Sequence, residues 1–438
     1  MLILQFVVSF VLSILLFFLY LYKNPSNCIR AIGYAFLFNV LPWTFHGYLG
    51  SESNRLGFIP FSFFTYIAIF LAGLLNFNFK IFKKNLLIFS VYLCFALLIS
   101  FYIFLSIKNF SFLLSYAQYA AMWVINPLSF FIFEKISYTI PKDKIIKDLK
   151  FVFICLIIIS LIGIFKYIFK IQEDGNFIVN MNRNGTSFLI VAVFLPINMM
   201  YYYYNQSRWA LLIFTIGSFL FFTNIVLITG RMGFLGFVLS VFLFLLLDKR
   251  IKEFCKRLSK FYYVLIFVLF FSVGFLVFSF IGDRVILRLN RTLVTMQTLI
   301  EFNDVVGNDY HRYQLLLNAI DIINNNFLFG VGIGRLNYKI IAQELGFYYV
   351  SQAHNFYLSY LAQMGVFTFG LVLLFLFLIL LKCLYLGIYL KQYIPFICLS
   401  SVLFMNLFNE YITVPIWWMF LGISIGIVYS LNKGLYNE

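Results

Sequence analysis

The sequence predicts an all-α polytopic membrane protein of about 12–13 transmembrane helices, with one large outer loop that contains amphipathic helices. Three observations carry this. First, 63% of the 438 residues are apolar and 11% charged, whereas soluble domains hold roughly 45–50% and 25%. Second, the apolar residues come in blocks of about 20, the length of a helix that crosses hydrocarbon, and not in the alternation of a barrel strand. Third, Lys and Arg recur on alternate loops. Together these exclude a soluble enzyme, a disordered tail and a secreted disulfide scaffold.

Thirteen blocks qualify in order: 2–22, 31–49, 57–75, 86–107, 111–133, 151–169, 186–204, 209–229, 232–247, 261–281, 364–381, 393–411 and 415–431. Met1–Tyr22 has no basic leader and no small-residue cleavage site, so it reads as a retained span. With the N-terminus outside, the inner loops hold 20 of the 32 basic residues, and half of the outer share sits in one long loop. The chain then divides into about ten spans over 1–281, an outer loop over 282–355 and C-terminal spans over 356–438, all one integral membrane domain. The net charge of +16 is read as topology, with no nucleic-acid partner. Cys28, Cys94, Cys155, Cys255, Cys383 and Cys398 include no C-x-x-C pair and read as small apolar core residues. The many Phe (60) and Tyr (30) fit AT-rich codon usage better than an aromatic cofactor site.

The long loop is not low-complexity. In 311–326, Tyr313, Leu316, Leu317, Ile320 and Ile323 fall on one helical face. Asn324–Asn326 and Gly330-Val331-Gly332-Ile333-Gly334 follow and read as a helix stop and turn. A second helical stretch runs from Asn355 to Met364. The loop is expected to form a folded cap resting on the membrane.

Outer chemistry centres on arginine. Arg183, Arg231, Arg284, Arg288, Arg291, Arg312, Arg335 and Lys339 lie on the outer side, and only the last is lysine. Topology would accept either residue, whereas a guanidinium offers a planar fork that fits phosphate oxygens. The set points to an anionic ligand; the alternative is salt bridging with Asp283, Glu301, Asp304, Asp309 and Asp321. Arg231, in Thr229-Gly230-Arg231-Met232-Gly233, lies between two apolar runs, where a lipid-exposed charge is costly. Arg183, in Asn182-Arg183-Asn184-Gly185, opens its span in the same way. Of the three histidines, His46 and His311 read as structural. His354, where the long loop returns to the membrane, can take a proton near neutral pH. No P-loop and no D-x-D occur. Glu173-Asp174 is one acidic pair and does not make a metal site, and Gly330–Gly334 lacks the context of a dinucleotide fingerprint. No cofactor and no metal are called for.

Over roughly 180–430 the pattern resembles the O-antigen polymerase and O-antigen ligase superfamily of bacterial membrane glycosyltransferases. The matching features are Asn182-Arg183-Asn184 and Thr229-Gly230-Arg231 opening spans, then Arg312 leading an amphipathic helix into Phe329-Gly330-Val331-Gly332-Ile333-Gly334. Ala353-His354-Asn355-Phe356-Tyr357 and Gln363-Met364-Gly365 follow. The resemblance implies a fold like the glycosyltransferase C type and a donor oligosaccharide on undecaprenyl diphosphate at the outer leaflet. It also implies arginines on the diphosphate and a histidine that activates the acceptor hydroxyl. Arg231 and Arg312 take the diphosphate role, with Arg183 and one of Arg284, Arg288 or Arg291. His354 takes the base role, and Asn355, Gln363 and Arg335 position the acceptor or the loop.

Elementary chemistry points the same way. Cleavage of a sugar–diphosphate bond leaves charge that arginine forks stabilise as it grows. The activated leaving group needs no ATP, and attack opposite the diphosphate inverts the anomeric centre. The expected function is polymerisation of lipid-linked repeat units into O-antigen or a capsule-like chain in the bacterial inner membrane. Membrane lipid and a polysaccharide chain-length regulator are the other expected partners. The alternatives are an O-antigen ligase, which moves the chain to a lipid A core, and a polysaccharide flippase. The flippase predicts ionisable residues inside spans and repeat symmetry, and the spans read as nearly charge-free apart from Lys166 and Glu410.

Overall fold

A computed structural model of the protein describes residues 14, 21, 24–40, 61–75, 85–106, 121–169, 183–205, 209–228, 231–248, 308–347, 352–408 and 414–432. Every regular element among them is helical. The chain forms two compact units, Met1–Phe244 with Thr368–Glu438, and Leu245–Phe367. Five described helices are long and apolar enough to cross a membrane, with shorter apolar helices at Met232–Leu247, Ile394–Met405 and Ile416–Leu431. The protein is a multi-pass membrane protein.

In chain order the helices are α1 (Cys28–Val40), α2 (Phe61–Leu75), α3 (Leu86–Ser106), α4 (Asn126–Thr139), α5 (Lys142–Ile168), α6 (Arg183–Leu189), α7 (Leu195–Tyr204), α8 (Ala210–Ile228) and α9 (Arg231–Leu247). They continue as α10 (Asn308–Asn325), α11 (Arg335–Glu344), α12 (Phe356–Leu390), α13 (Ile394–Met405) and α14 (Pro415–Leu431). A π-helical turn at Ile190–Phe194 joins α6 to α7, and another at Ala121–Ile125 precedes α4. Pro196 follows the first of these and has no N–H to give the Ala192 carbonyl. The Cys398 thiol donates to that oxygen at 3.2 Å.

The predicted spans at 86–107, 186–204, 209–229, 232–247 and 415–431 match α3, α6–α7, α8, α9 and α14 closely. The block 151–169 is the C-terminal part of α5, which starts at Lys142, after Pro141, with Asp143 in its first turn. A carboxylate there suits the positive end of the helix, so the charged stretch continues the helix instead of ending it. The block 364–381 belongs to α12, which is broken at Gly365. Block 261–281, all but two residues of 2–22, His46, Cys255 and Glu173-Asp174 lie outside the described residues.

In the first unit the solvent is lipid. α3 buries Ile88, Tyr92, Phe95, Ile99 and Ile103 and exposes Leu86, Leu93, Leu97, Phe101 and Phe104, so both faces are apolar. Among the cysteines, Cys28, Cys155, Cys383 and Cys398 are buried as expected, while Cys94 is exposed on α3.

Among the described helices, α4 and α14 share the most extensive contact. A methyl at Gly422 would collide with the Phe130 carbonyl oxygen, and one at Gly426 with that of Glu134. Small residues four apart let two helix backbones meet where no hydrophobic force drives them together. Beside this seam Lys382 pairs with Glu134 and donates to Asn85 Oδ1 at 2.8 Å. Asn85 Nδ2 donates to both Glu134 oxygens, at 3.2 and 3.1 Å. The Lys382 ammonium lies over the Phe130 and Tyr429 rings, 5.7 and 5.4 Å from their centroids. The spans therefore carry more buried charge than the sequence pattern suggests. Lys382 and Glu134 lie inside α12 and α4 but just past the ends of the apolar blocks 364–381 and 111–133, where hydropathy alone assigns them to loops. The pair is internally neutral, so it does not by itself make the ionisable transport site that a flippase would need.

Candidate functional site

In the second unit, α10 ends at Asn325 and the chain turns through Phe327–Gly334. Gly330 has φ +70° and donates its N–H to the Asn326 carbonyl at 2.8 Å. The turn lies against α12 where Gly365, at φ +66°, breaks the helix. The break leaves backbone groups without helical partners, and the turn satisfies them. Val331 N–H donates to the Ala362 carbonyl at 2.9 Å and Gly332 N–H to that of Gln363 at 3.0 Å. Val366 N–H donates back to Phe327 at 2.9 Å. A Cβ at Gly330 would run into the Gln363 carbonyl, and one at Gly365 into that of Leu328. Both positions need glycine for conformation and for space. The expected stop and turn at 330–334 is present, and it is also a clamp.

Gln363 completes it. Its side chain is fully buried, and Oε1 accepts from the Gly334 N–H at 2.9 Å. This fixes the residue immediately before Arg335, which opens α11. Ile322 and Ile323 of α10, Tyr338 and Ala342 of α11 and Ala362 of α12 form the core beneath.

The predicted amphipathic helix exists as α10, but its inner face differs. Leu315, Asn318, Ala319 and Ile322 are buried together with the expected Ile323, while Leu317 and Ile320 are 36% and 42% exposed. Leu315, Ala319 and Ile322 have helical spacing too, and Ala319 suits a core built on Ala342 and Ala362. Exposed leucine and isoleucine are tolerated where the surroundings are not purely water.

At the start of α12, Asn355 Oδ1 accepts from the Leu358 N–H at 3.0 Å, an N-cap. His354, just before it, is exposed and has φ +50°. A non-glycine residue in the left-handed region is strained, and such strain gathers at functional positions. His354, Asn355 and Gln363 thus lie on one helix start, with Gln363 reaching to the residue before Arg335. Arg312 lies in the first turns of α10 in the same unit. Arg284, Arg288 and Arg291 lie outside the described residues.

In the first unit, Arg183 and Arg231 are the first residues of α6 and α9. A Cβ at Gly233 would meet Ser187, with its Oγ at 2.7 Å, and one at Gly236 would lie 3.3 Å from Val191. These two pairs set α6–α9 packing parallel and bring the two N-termini side by side. Helix N-termini present free N–H groups and positive potential, which favour anions.

Residues 216–375 match the O-antigen ligase family model. The match runs from α8 through Arg231, Arg312, the glycine clamp and His354 into α12. The resemblance to the O-antigen polymerase and ligase superfamily thus has its support over this segment. No curated protein matches the chain.

Proposed function

We propose that the protein polymerises undecaprenyl-diphosphate-linked repeat units at the outer face of the bacterial inner membrane. Arg231, Arg312 and Arg183 bind the diphosphate, with one of Arg284, Arg288 or Arg291 beside them. The acceptor hydroxyl oxygen attacks the anomeric carbon from the face opposite the diphosphate. The new glycosidic C–O bond forms as the sugar–diphosphate C–O bond breaks, and the leaving diphosphate keeps the electron pair. His354 takes the hydroxyl proton, and the arginine forks stabilise the growing charge. Asn355, Gln363 and Arg335 hold the base and the clamp in place.

The observation that carries this reading is the helix start at His354. An exposed histidine with a left-handed backbone stands before a capped helix that a backbone clamp ties to the turn before Arg335, all within the segment that matches the O-antigen ligase family model. The description of that segment favours ligation to lipid A core as the second reading. Purified protein given only the lipid-linked repeat unit separates the two. A ladder of lengthening products supports polymerisation. No ladder, with transfer once lipid A core is added, supports ligation and sinks the polymerase reading.

A further inference from the structure

The turn that leads into the clamp carries three consecutive large apolar side chains, and all three are exposed. Phe327 is 51%, Leu328 49% and Phe329 60% exposed. Turns in water are built mainly from Gly, Pro, Asn, Asp and Ser. Asn324, Asn325 and Gly330 fit that rule, and Phe327-Leu328-Phe329 does not. The clamp uses only the backbone of these residues. The Phe327 carbonyl accepts from the Val366 N–H at 2.9 Å, and the Leu328 carbonyl lies against Gly365. The proposed chemistry uses none of the three side chains.

What they face follows from α12. Beyond the break at Gly365 this helix is regular as far as Leu390. Phe367, Leu374, Phe377, Leu381, Tyr385 and Ile388 recur at intervals of three, four and seven residues, so they share one face. Every one of them is exposed, whereas Leu376, Ile379 and Cys383 on the opposite face are buried. An exposed apolar stripe on a spanning helix is its lipid face. From Phe367 to Ile388 the stripe rises about 32 Å at 1.5 Å per residue, against about 30 Å for the hydrocarbon core of a bilayer. It stops before Lys391, which is exposed and donates from Nζ to the Ile388 carbonyl at 2.5 Å. Phe367 therefore stands at one hydrocarbon boundary, and Lys391 lies just past the other. The Phe329 and Phe367 rings are in contact, 5.9 Å between centroids and inclined by 36°. The Phe327–Val366 backbone bond holds the start of the turn at the same level. The exposed side of the turn thus continues the lipid face of α12.

We propose that Phe327, Leu328 and Phe329 form a membrane-inserted wedge, seated among phospholipid acyl chains of the leaflet that α12 enters at Phe367. The occupant is bulk lipid, because the apolar surface is continuous with a helix face that already lies in lipid. An apolar cluster of this kind left in water would be a liability. The wedge ties the clamp to the bilayer. Through the bonds from Val331 and Gly332 to Ala362 and Gln363, it holds the first part of α12 at a fixed depth. This inference does not depend on which transfer reaction the protein performs.

The test uses the full chain in phosphatidylcholine nanodiscs. Phe329 is replaced by the photoreactive analogue p-benzoylphenylalanine, which keeps an aromatic ring at an exposed position. The same replacement at Phe377, in the middle of the α12 stripe, reports lipid. At Gln343, exposed on α11, it is the comparison outside the wedge. After illumination, mass spectrometry of the intact protein is expected to show addition of one phospholipid at position 329. The yield should be comparable to that at position 377 and several times that at position 343. A yield at 329 no greater than that at 343 overturns the proposal. A cross-link from 329 to another segment of this chain, or to a second copy, shows that protein covers the turn and also overturns it. Phe329→Trp gives an independent measurement. Its emission, taken as the difference from wild type, should be mostly lost in phosphatidylcholine brominated near the glycerol end of the acyl chains. Full retention of that added emission contradicts insertion.

Discussion

Glycine brings backbones together in both units, but to different ends. In α14, Gly422 and Gly426 remain helical and simply remove bulk, so that α4 can approach. Every backbone bond there stays inside its own helix, as hydrocarbon demands. Around Gly330 and Gly365 the glycines break regular structure, and the freed N–H and carbonyl groups bond across the break. The first arrangement gives stability alone. The second gives a rigid irregular turn at the end of a helix that carries His354 and Gln363. Irregular backbone in a membrane protein is kept where it is satisfied by protein, and here it carries the proposed site.

This contrast predicts two kinds of variant. Lys382→Met leaves Glu134 buried and unpaired, and should cost about 3–5 kcal/mol of stability. Activity per folded molecule should not change, as thermal unfolding and turnover on the same sample will show. Adding Glu134→Met should recover most of the loss, because an apolar pair replaces a buried ion pair at little cost. Gly365→Ala places a Cβ against the Leu328 carbonyl at positive φ and should cost roughly 3 kcal/mol. Here activity should fall further than the folded fraction, because the clamp is displaced. Gln363→Leu strands the Gly334 N–H and should cost about 1–3 kcal/mol, again with a larger effect on turnover. Asn355→Ala removes the α12 cap for about 1 kcal/mol, and should slow turnover modestly if His354 shifts. Equal losses of activity and folded fraction for Gly365→Ala and Gln363→Leu would erase the distinction between the units.

Much of this architecture is legible in the sequence because lipid as solvent enforces long apolar blocks. Helix ends are less legible, since charges such as Lys382 and Glu134 read as loop residues until the pairing between α4 and α12 is seen. The Gly422-x-x-x-Gly426 spacing is a readable signal of close helix packing that a search for loops and charges passes over. In α10 two apolar stripes overlap, so periodicity alone does not choose between Leu315-Ala319-Ile322 and Leu316-Leu317-Ile320. The glycine turn is recognisable as a stop, but its partner, Gly365, is over 30 residues away, and nothing local announces the clamp. His354 stands out by position, whereas its left-handed backbone is imposed by tertiary structure.

The central claim is that His354 is a base held on a rigid start of α12, separate from the cations that bind the donor. The direct measurement is donor binding and chain formation by His354→Ala, with His311→Ala as control, on reconstituted protein of matched thermal stability. Binding of a lipid diphosphate should be nearly unchanged, and chain formation should fall roughly 10²–10⁴-fold, while His311→Ala behaves as wild type. Long chains made at the normal rate by His354→Ala, or a loss of donor binding as large as the loss of chain formation, would contradict the account.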